Sequence, residues 1–174
     1  MKKVIVIGCP GSGKSYLSRK LRDKTGLPLY YLDQIWHKTD KTNISREEFD
    51  IKLEGILKKD KWIIDGNYAR TLEIRLQECD TVFLLALPLE ICIRSAESRI
   101  GEKREDLPWI EDEFDDEFRQ FIMNFPQDTL PEIYRLVELY KNEKDIIVFK
   151  TRNEVNEYIN RIPNKNCSNR KGLL

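Results

Sequence analysis

The chain has 174 residues, of which 40% are hydrophobic, so its length and composition predict one main domain with a core of ordinary size. Because 30 basic residues balance 30 acidic ones, there is no overall positive field, which argues against direct nucleic-acid binding without a local patch. No stretch is long and apolar enough for a signal peptide or a membrane span, and four separated cysteines with one histidine indicate neither a disulfide framework nor a zinc cluster, so we expect a cytoplasmic protein with no membrane partner.

Five apolar runs alternate with helical patterns along the chain. The runs predict strands at residues 4–7, 27–33, 62–64, 81–87 and 146–149. Apolar residues at helical spacing predict helices between and after them, including one over residues 14–24 and one capped by Thr151 and Glu154. This alternation predicts an α/β fold, with a parallel sheet covered by helices on both faces and ligands bound beyond the carboxyl ends of the strands.

The segment GCPGSGKS, residues 8–15, follows the first predicted strand and matches G-x-x-x-x-G-K-[ST] at every fixed position. Glycines let the backbone curl around an anion with its NH groups pointing inward, and the following helix adds the field of its positive end. Lys14 would bridge the outer phosphates, and Ser15 would offer an oxygen to magnesium. We therefore predict that ATP and Mg²⁺ bind at Gly8, Pro10, Gly11, Ser12, Gly13, Lys14, Ser15 and Tyr16.

A phosphate-binding loop occurs in switches, motors and kinases, so its context decides among them. A GTPase switch would carry Asn-Lys-x-Asp after a late strand, but the nearest string, residues 164–167, lies in the tail and ends in cysteine. The chain is also too short for the accessory machinery of a motor. A small-molecule kinase needs only the loop, an acceptor pocket and mobile arginines, so the sequence favours a kinase.

Several motifs in order, not the loop alone, resemble one family. They are GCPGSGKS at residues 8–15, LPLYYLD at 27–33, WIIDGNY at 62–68, DTV at 80–82, LP at 87–88 with the arginines that follow, and the segment 148–158. Together, over about residues 1–160, they resemble the adenylate-kinase-related group called topology modulation proteins or FlaR-like proteins. The resemblance implies a P-loop NTPase fold of three α/β/α layers like that of nucleoside and shikimate kinases, with a five-stranded parallel sheet in the order 2-3-1-4-5. It also implies ATP, magnesium, phosphoryl transfer to a small acceptor, and, from the label of the group, a regulatory link to DNA topology.

Two aspartates end predicted strands. Asp65 resembles a Walker-B carboxylate that orders the water shell of magnesium opposite Ser15, so we predict a metal site at Ser15 and Asp65; a turn residue at the strand end is the alternative. Asp33, as in shikimate-kinase-like enzymes, would accept the proton of an acceptor hydroxyl or orient that hydroxyl. A helix N-cap explains Asp33 equally well.

The acceptor side is predicted from the segments around these two aspartates. Predicted acceptor-binding residues are Asp33, Trp36, Gly66, Asn67, Tyr68, Arg70 and Arg75. Trp36 and Tyr68 would stack on a base or sugar, or else belong to the core. Adenylate kinases place an arginine four residues after the corresponding aspartate, whereas Arg70 follows Asp65 after five.

Arg94, Arg99 and Arg104 recur every five residues, with Gly101 bending the chain before the last of them. In kinases of the family, lid arginines neutralise the charge on the transferring phosphoryl group. We predict that Arg94 and Arg99 bind nucleotide and that Lys14, Asp33, Arg99 and Arg104 form the catalytic set. The alternative is a set of solvated arginines paired with Glu97, Glu102 and Glu105.

The resemblance also places Thr151 and Arg152, just after the fifth strand, beside the adenine ring. Residues 1–163 would then form the kinase domain, with an acceptor-side insertion at about residues 34–60, a short lid at about residues 99–112, and a flexible tail at residues 164–174. The leading hypothesis is a kinase that transfers the γ-phosphate of Mg-ATP to a nucleoside monophosphate or another small acceptor. The competing hypotheses are a nucleotide-sensing regulator linked to DNA topology or transcription, with negligible kinase turnover, and an ATPase whose acceptor is water.

Overall fold

Five parallel strands form one sheet in the computed structural model, which describes residues 1–163. In chain order the strands are β1 (Lys3–Gly8), β2 (Leu29–Tyr31), β3 (Trp62–Asp65), β4 (Thr81–Leu85) and β5 (Asp145–Phe149). They lie in the order β2-β3-β1-β4-β5, and every neighbouring pair is parallel. The predicted sheet and its strand order are therefore confirmed. The predicted flexible tail, residues 164–174, lies outside the described residues.

Eight α-helices connect and follow these strands in the described part of the chain. They are α1 (Lys14–Thr25), α2 (Leu32–Trp36), α3 (Arg46–Leu57), α4 (Leu72–Glu78), α5 (Leu89–Glu97), α6 (Asp116–Asp128), α7 (Leu130–Leu139) and α8 (Arg152–Arg161). Side chains cap the starts of α3 and α8, and the sequence predicts the cap of α8. Ser45 Oγ accepts from the Glu48 amide at 3.1 Å, and Thr151 and Glu154 form a complete capping box at the start of α8.

The central strands hold the core and bring the functional loops to one edge of the sheet. The side chains of β1, β3 and β4 are almost all buried, as expected for strands flanked by neighbours and covered on both faces. In the parallel register Val6 pairs with Asp65 and Gly8 pairs with Leu85. The glycine-rich loop after β1 and the loop after β3 therefore emerge side by side.

The second strand is shorter than predicted. β2 pairs only with β3, the last pair joins Tyr31 to Asp65, and the chain turns into α2 at the fully buried Leu32. Asp33 consequently lies in the first turn of a helix and not at the end of the strand, which corrects the predicted strand over residues 27–33. Once β3 ends, no neighbouring strand remains to extend the ladder of hydrogen bonds.

The segment between α5 and α6, residues 98–115, contains no helix or strand and is called the 98–115 loop below. Gly101 adopts a φ of 79° in this loop, and its amide donates to the carbonyl of Glu111 at 2.7 Å, which closes the loop on itself. A search of the described residues finds no helix with the length and apolar character that a membrane crossing requires.

Candidate active site

The glycine-rich loop is curled, and half of its residues are buried. Gly11 has a φ of 79°, and a Cβ on it would lie 2.0 Å from the backbone oxygen of Cys92 on α5, so only glycine fits there. Lys14 folds back across the loop, and its ammonium donates to the carbonyls of Gly8 at 2.9 Å and Cys9 at 3.1 Å. The loop therefore presents a positive charge at the start of α1, the arrangement that binds phosphate.

Asn67 ties the loop after β3 to the glycine-rich loop. Its Oδ1 accepts from the Gly8 amide at 2.9 Å, and its Nδ2 donates to the Gly8 carbonyl at 2.7 Å. Asn67 lines the cavity described below, but both ends of its amide are engaged with Gly8. Asn67 therefore holds the phosphate-binding loop in place.

Oxygen donors suited to magnesium surround the start of α1. Asp65 is 4% exposed, and its Oδ2 is buried with no hydrogen-bond partner among residues 1–163. Burial raises the pKa of Asp65 to about 6, against the opposing positive charge of Lys14. The Ser15 hydroxyl donates to Asp106 Oδ2 at 2.9 Å. A hydroxyl and carboxylates are the hard oxygen ligands that magnesium prefers, so these residues fit the ion.

No cluster of three or more His, Cys, Asp or Glu side chains placed to hold a metal is found within the described residues. That finding is compatible with magnesium, which keeps most of its water shell and is bound through one or two protein groups together with substrate phosphates. The two predicted magnesium ligands, Ser15 and Asp65, line the same cavity.

The 98–115 loop carries a buried charge network above the glycine-rich loop. Arg104 donates to both oxygens of Asp106, at 3.1 and 2.9 Å, and also to Glu111. Burial alone would raise the pKa of Asp106, but the hydrogen bonds and charge of Arg104 hold it below its usual value. The partners of Arg104 are thus Asp106 and Glu111, and not the solvated glutamates at positions 97, 102 and 105.

Arg99 lies beside this network with spare hydrogen-bonding capacity. Its side chain is 26% exposed, and its Nε is buried without a hydrogen-bond partner among residues 1–163, 3.8 Å from Glu111 Oε2. Burial, and then the neighbouring charge of Arg104, lower the pKa of Arg99. An anion bound beside Arg99 would satisfy its free donor and offset both effects.

The 98–115 loop also contacts α1 and α2. Glu105 accepts from Arg22 through its side chain and from Gln34 through its carbonyl oxygen. Trp109 packs edge-on against His37 with the ring centroids 5.0 Å apart. The loop is therefore joined to both helices that follow β1 and β2.

A cavity of about 1230 Å³ lies between the glycine-rich loop, α2, the loop after β3 and the 98–115 loop. Predicted residues that line it are Pro10, Gly11, Ser12, Gly13, Lys14, Ser15, Tyr16, Asp33, Asp65, Gly66, Asn67, Tyr68, Arg99, Arg104 and Arg152. Predicted residues outside the lining are Gly8, Trp36, Arg70, Arg75, Arg94 and Thr151. Arg94 is exposed on α5, and Thr151 caps α8.

Some lining residues were not predicted from the sequence. Arg19 lies one turn beyond Ser15 on α1, so its helical spacing from the glycine-rich loop was a usable signal. No role was predicted for Asp106, which lies two residues after Arg104. His37 and Trp109 meet through tertiary contact alone, which no spacing in the chain encodes.

Asp33 and Tyr68 meet on the acceptor side of the cavity. The Tyr68 hydroxyl donates to Asp33 Oδ1 at 2.9 Å. The Tyr68 ring stacks on Phe49 at 5.2 Å between centroids, and Trp36 packs edge-on against both rings. Trp36 thus belongs to an aromatic cluster at the border of the core, which favours the core interpretation for this residue.

Neither acceptor-side arginine reaches the cavity. Arg75 is fully buried, and its guanidinium donates to the carbonyls of Gly66 at 2.8 Å, Tyr68 and Thr71 at 3.1 Å each, and Asn67. Burial lowers the pKa of Arg75 to about 9, so it stays protonated at neutral pH. The predicted contact between Arg75 and an acceptor is therefore corrected to a structural role. Arg70 forms a two-bond ion pair with Asp50, at 2.6 and 2.9 Å, outside the lining.

Neither the scan against protein-family models nor the search of curated proteins finds a match. Solved structures do match. A sugar kinase from Janibacter sp. HTCC2649 is similar at 16% identity and a TM-score of 0.53, over 92% of this chain and 91% of that one. A shikimate kinase from Bacteroides thetaiotaomicron is similar at 15% identity and a TM-score of 0.52, over 91% and 94%. The chain has the P-loop kinase fold that these enzymes share.

Proposed function

We propose that this protein is a kinase that transfers the γ-phosphoryl group of Mg-ATP to a small acceptor, a nucleoside monophosphate or another small molecule. One observation carries the proposal: a single cavity joins Lys14 and the glycine-rich loop to Arg99, Arg104 and the carboxylate of Asp33. A donor site, charge-neutralising groups and an acceptor-facing carboxylate are the parts that phosphoryl transfer requires. The ordered motifs of the sequence further support membership of the topology modulation, or FlaR-like, group.

The donor half of the reaction falls to the glycine-rich loop and α1. The loop amides and Lys14 would hold the phosphates, because the amides at a helix start attract an anion and the ammonium can leave its two carbonyls for a stronger partner. Ser15 and Asp65 would hold Mg²⁺, which supplies charge neutralisation on the phosphates when it is bound. Tyr16, Arg152 and Asn156 line the cavity beyond the loop and would border the nucleoside.

The transferring group would lie below Arg99 and Arg104. Arg99 lines the cavity with a largely buried side chain, whose charge interacts with an anion more strongly than it would in water. Arg104 is held by Asp106 and Glu111, so its guanidinium is fixed before any ligand arrives. Such preorganisation costs no rearrangement during the reaction.

Substitution of Lys14 tests the proposal. Purified protein is incubated with Mg-ATP and a panel of nucleotides, sugars and other alcohols, and ADP release is measured together with the phosphorylated product. We expect turnover of at least one acceptor, and a fall in kcat of about 10²–10³-fold in Lys14→Ala, the size typical for loss of one transition-state donor.

Lys52→Ala is the matched control, because Lys52 is an exposed lysine of α3 outside the cavity lining. Its activity should equal that of the wild type. Tight ATP binding with no conversion across the panel would contradict the kinase proposal and favour the nucleotide-sensing regulator.

A further inference from the structure

The cationic residues of the cavity are unevenly distributed. The lysines and arginines that line it are Lys14, Arg19, Arg99, Lys103, Arg104 and Arg152. They come from the glycine-rich loop, α1, the 98–115 loop and the start of α8. Within the described residues, no lysine or arginine from positions 29–78, which form the acceptor side, lines the cavity. A phosphate carried by the acceptor would therefore have to share Arg99 and Arg104, which interact with the charge of Asp33, with the transferring phosphoryl group.

Arg70 and Arg75, which the sequence predicts to bind the acceptor, have other partners in the structure. Arg75 is fully buried and donates to four backbone carbonyls, so releasing it would expose those acceptors and an unpaired charge inside the protein. Arg70 points away to Asp50. The group that faces the acceptor is instead the carboxylate of Asp33, which repels an anion.

The carboxylate of Asp33 has one oxygen available to accept a hydrogen bond from a hydroxyl group. Its Oδ1 is occupied by the Tyr68 hydroxyl, and its Oδ2 has no hydrogen-bond partner among residues 1–163. Burial, and then the charge of Asp33, raise the pKa of Tyr68, so its phenol stays protonated and remains a donor. One oxygen of the carboxylate is thus fixed and the other is free.

The backbone around Tyr68 is held in an uncommon conformation. Tyr68 has a φ of 38° and a ψ of 71°, in the left-handed region that residues with a Cβ rarely adopt. The guanidinium of Arg75 binds the carbonyls of Gly66, Asn67 and Tyr68, which fixes this loop from below. A strained residue that the surrounding structure holds in place is typical of functional sites, and here the result is a phenol placed on Asp33.

We propose that the phosphoryl acceptor is an uncharged polyhydroxy compound whose hydroxyl is deprotonated by Asp33, with Tyr68 as the residue that positions this carboxylate. The inference rests on the proposed kinase function and narrows its acceptor. A neutral alcohol needs a base as it attacks, whereas a nucleoside monophosphate already carries an anionic oxygen and needs none.

Phosphoryl transfer to the acceptor forms one P–O bond and breaks another. The acceptor oxygen forms a bond to the γ-phosphorus, and the bond between that phosphorus and the oxygen that bridges it to the β-phosphate breaks. The hydroxyl proton passes to Asp33 Oδ2, and ADP leaves with the electron pair of the broken bond. Asp33 afterwards releases the proton to water. The products are a phosphate monoester, ADP and one proton.

The test compares neutral acceptors with their phosphorylated counterparts. Adenosine and adenosine 5′-monophosphate, ribose and ribose 5-phosphate, and glucose and glucose 6-phosphate are each offered with Mg-ATP, and product is measured by phosphorus NMR. We expect conversion of at least one neutral member, with a kcat/KM at least about 10²-fold above that of its phosphorylated partner, because the latter brings an unpaired charge to Asp33.

Variants separate the two residues. Asp33→Asn should lower kcat by about 10²–10⁴-fold while the KM for ATP is unchanged, the size typical for loss of a general base. Tyr68→Phe keeps the stacked ring and removes only the hydroxyl, so kcat should fall about tenfold with the KM for ATP unchanged. Tyr30→Phe, on β2 outside the cavity lining, is the control and should match the wild type.

The outcomes are distinguishable. Preferred conversion of a phosphorylated acceptor, or full kcat in Asp33→Asn, overturns the inference while the kinase function stands. If no acceptor is converted although ATP binds, both the function and the inference fail.

Discussion

Asp65 is a buried carboxylate with one oxygen that has no hydrogen-bond partner among residues 1–163, and its protonation should be visible in the stability of the protein. Its folded pKa is about 6 against an ordinary value of 3.8, so between these pH values the folded chain keeps a proton that the unfolded chain has released. An acid whose pKa is higher in the folded state than in the unfolded state stabilises the protein at low pH. The contribution of Asp65 to stability is greatest below pH 3.8 and is lost as the pH rises to about 6.

We therefore predict that the metal-free protein loses about 3 kcal/mol of unfolding free energy from Asp65 across this window, relative to Asp65→Asn. Urea unfolding with a chelator at several pH values measures it, and the difference between the two proteins is the relevant quantity. Magnesium should oppose the loss, because it binds the ionised carboxylate. A difference that is constant with pH would contradict the burial of this side chain.

Sequence reasoning predicted the common location of residues that belong to local motifs, while their roles stay predictions. Lys14, Ser15 and Asp65 meet at one cavity because a strand, a turn and a helix are encoded by neighbouring residues and by the parallel register. It failed for Arg75, although a signal existed. Arg75 shares the buried face of α4 with Leu72 and Leu76, at helical spacing, and a charge on an apolar face indicates a buried structural role.

At the level of secondary-structure elements, α4 and the loop before it form one unit joined by Arg75. Four carbonyls of residues 66–71 converge on a single guanidinium, so this segment, whose regular structure is limited to a single 3-10 turn at Ala69–Thr71, is fixed to α4. The element boundaries themselves were largely predictable, since caps and apolar spacing mark them. The end of β2 was not, because it depends on where the partner strand β3 stops.

Arg75 and Arg70 provide a matched comparison of a buried and an exposed arginine. We predict that Arg75→Met lowers the unfolding free energy by about 3–5 kcal/mol, because four carbonyls lose the donor that is fully buried among them, and two of these hydrogen bonds are themselves buried. Arg70→Met should change it by less than about 1 kcal/mol, because its pair with Asp50 is exposed. Denaturant unfolding of both variants measures this, and equal losses would show that Arg75 is not the anchor of the loop.

On the scale of the whole molecule, the 98–115 loop joins parts that are distant in the chain. Asp106 accepts from Ser15 on α1, and Glu105 binds α1 and α2. The length of the loop and Gly101 within it predict a lid. The contacts of the loop could not be predicted from the sequence, because each one joins residues more than 70 positions apart.

Removal of the Asp106 carboxylate should loosen this loop. In Asp106→Ala, Arg104 and Ser15 lose a shared partner, so we predict at least about tenfold faster hydrogen exchange at the Gly101 amide, which donates to Glu111 across the loop. Asp112→Ala is the control, since Asp112 pairs with Lys41 in an exposed place and its loss should leave exchange unchanged. Hydrogen-exchange mass spectrometry measures the rate in both variants. Equal rates would show that Asp106 does not hold the loop in place.

The position of β1 in the sheet has a consequence for biosynthesis. β1 lies in the middle of the sheet, yet its partners β3 and β4 follow it by about 60 and 80 residues, as the pairs of Lys3 with Trp62 and Val4 with Thr81 show. The ribosome therefore releases an apolar segment long before either neighbour exists, and loop closure over that distance slows the first productive pairing. Nascent chains that end before Leu85 should be bound by chaperones that shield apolar strands.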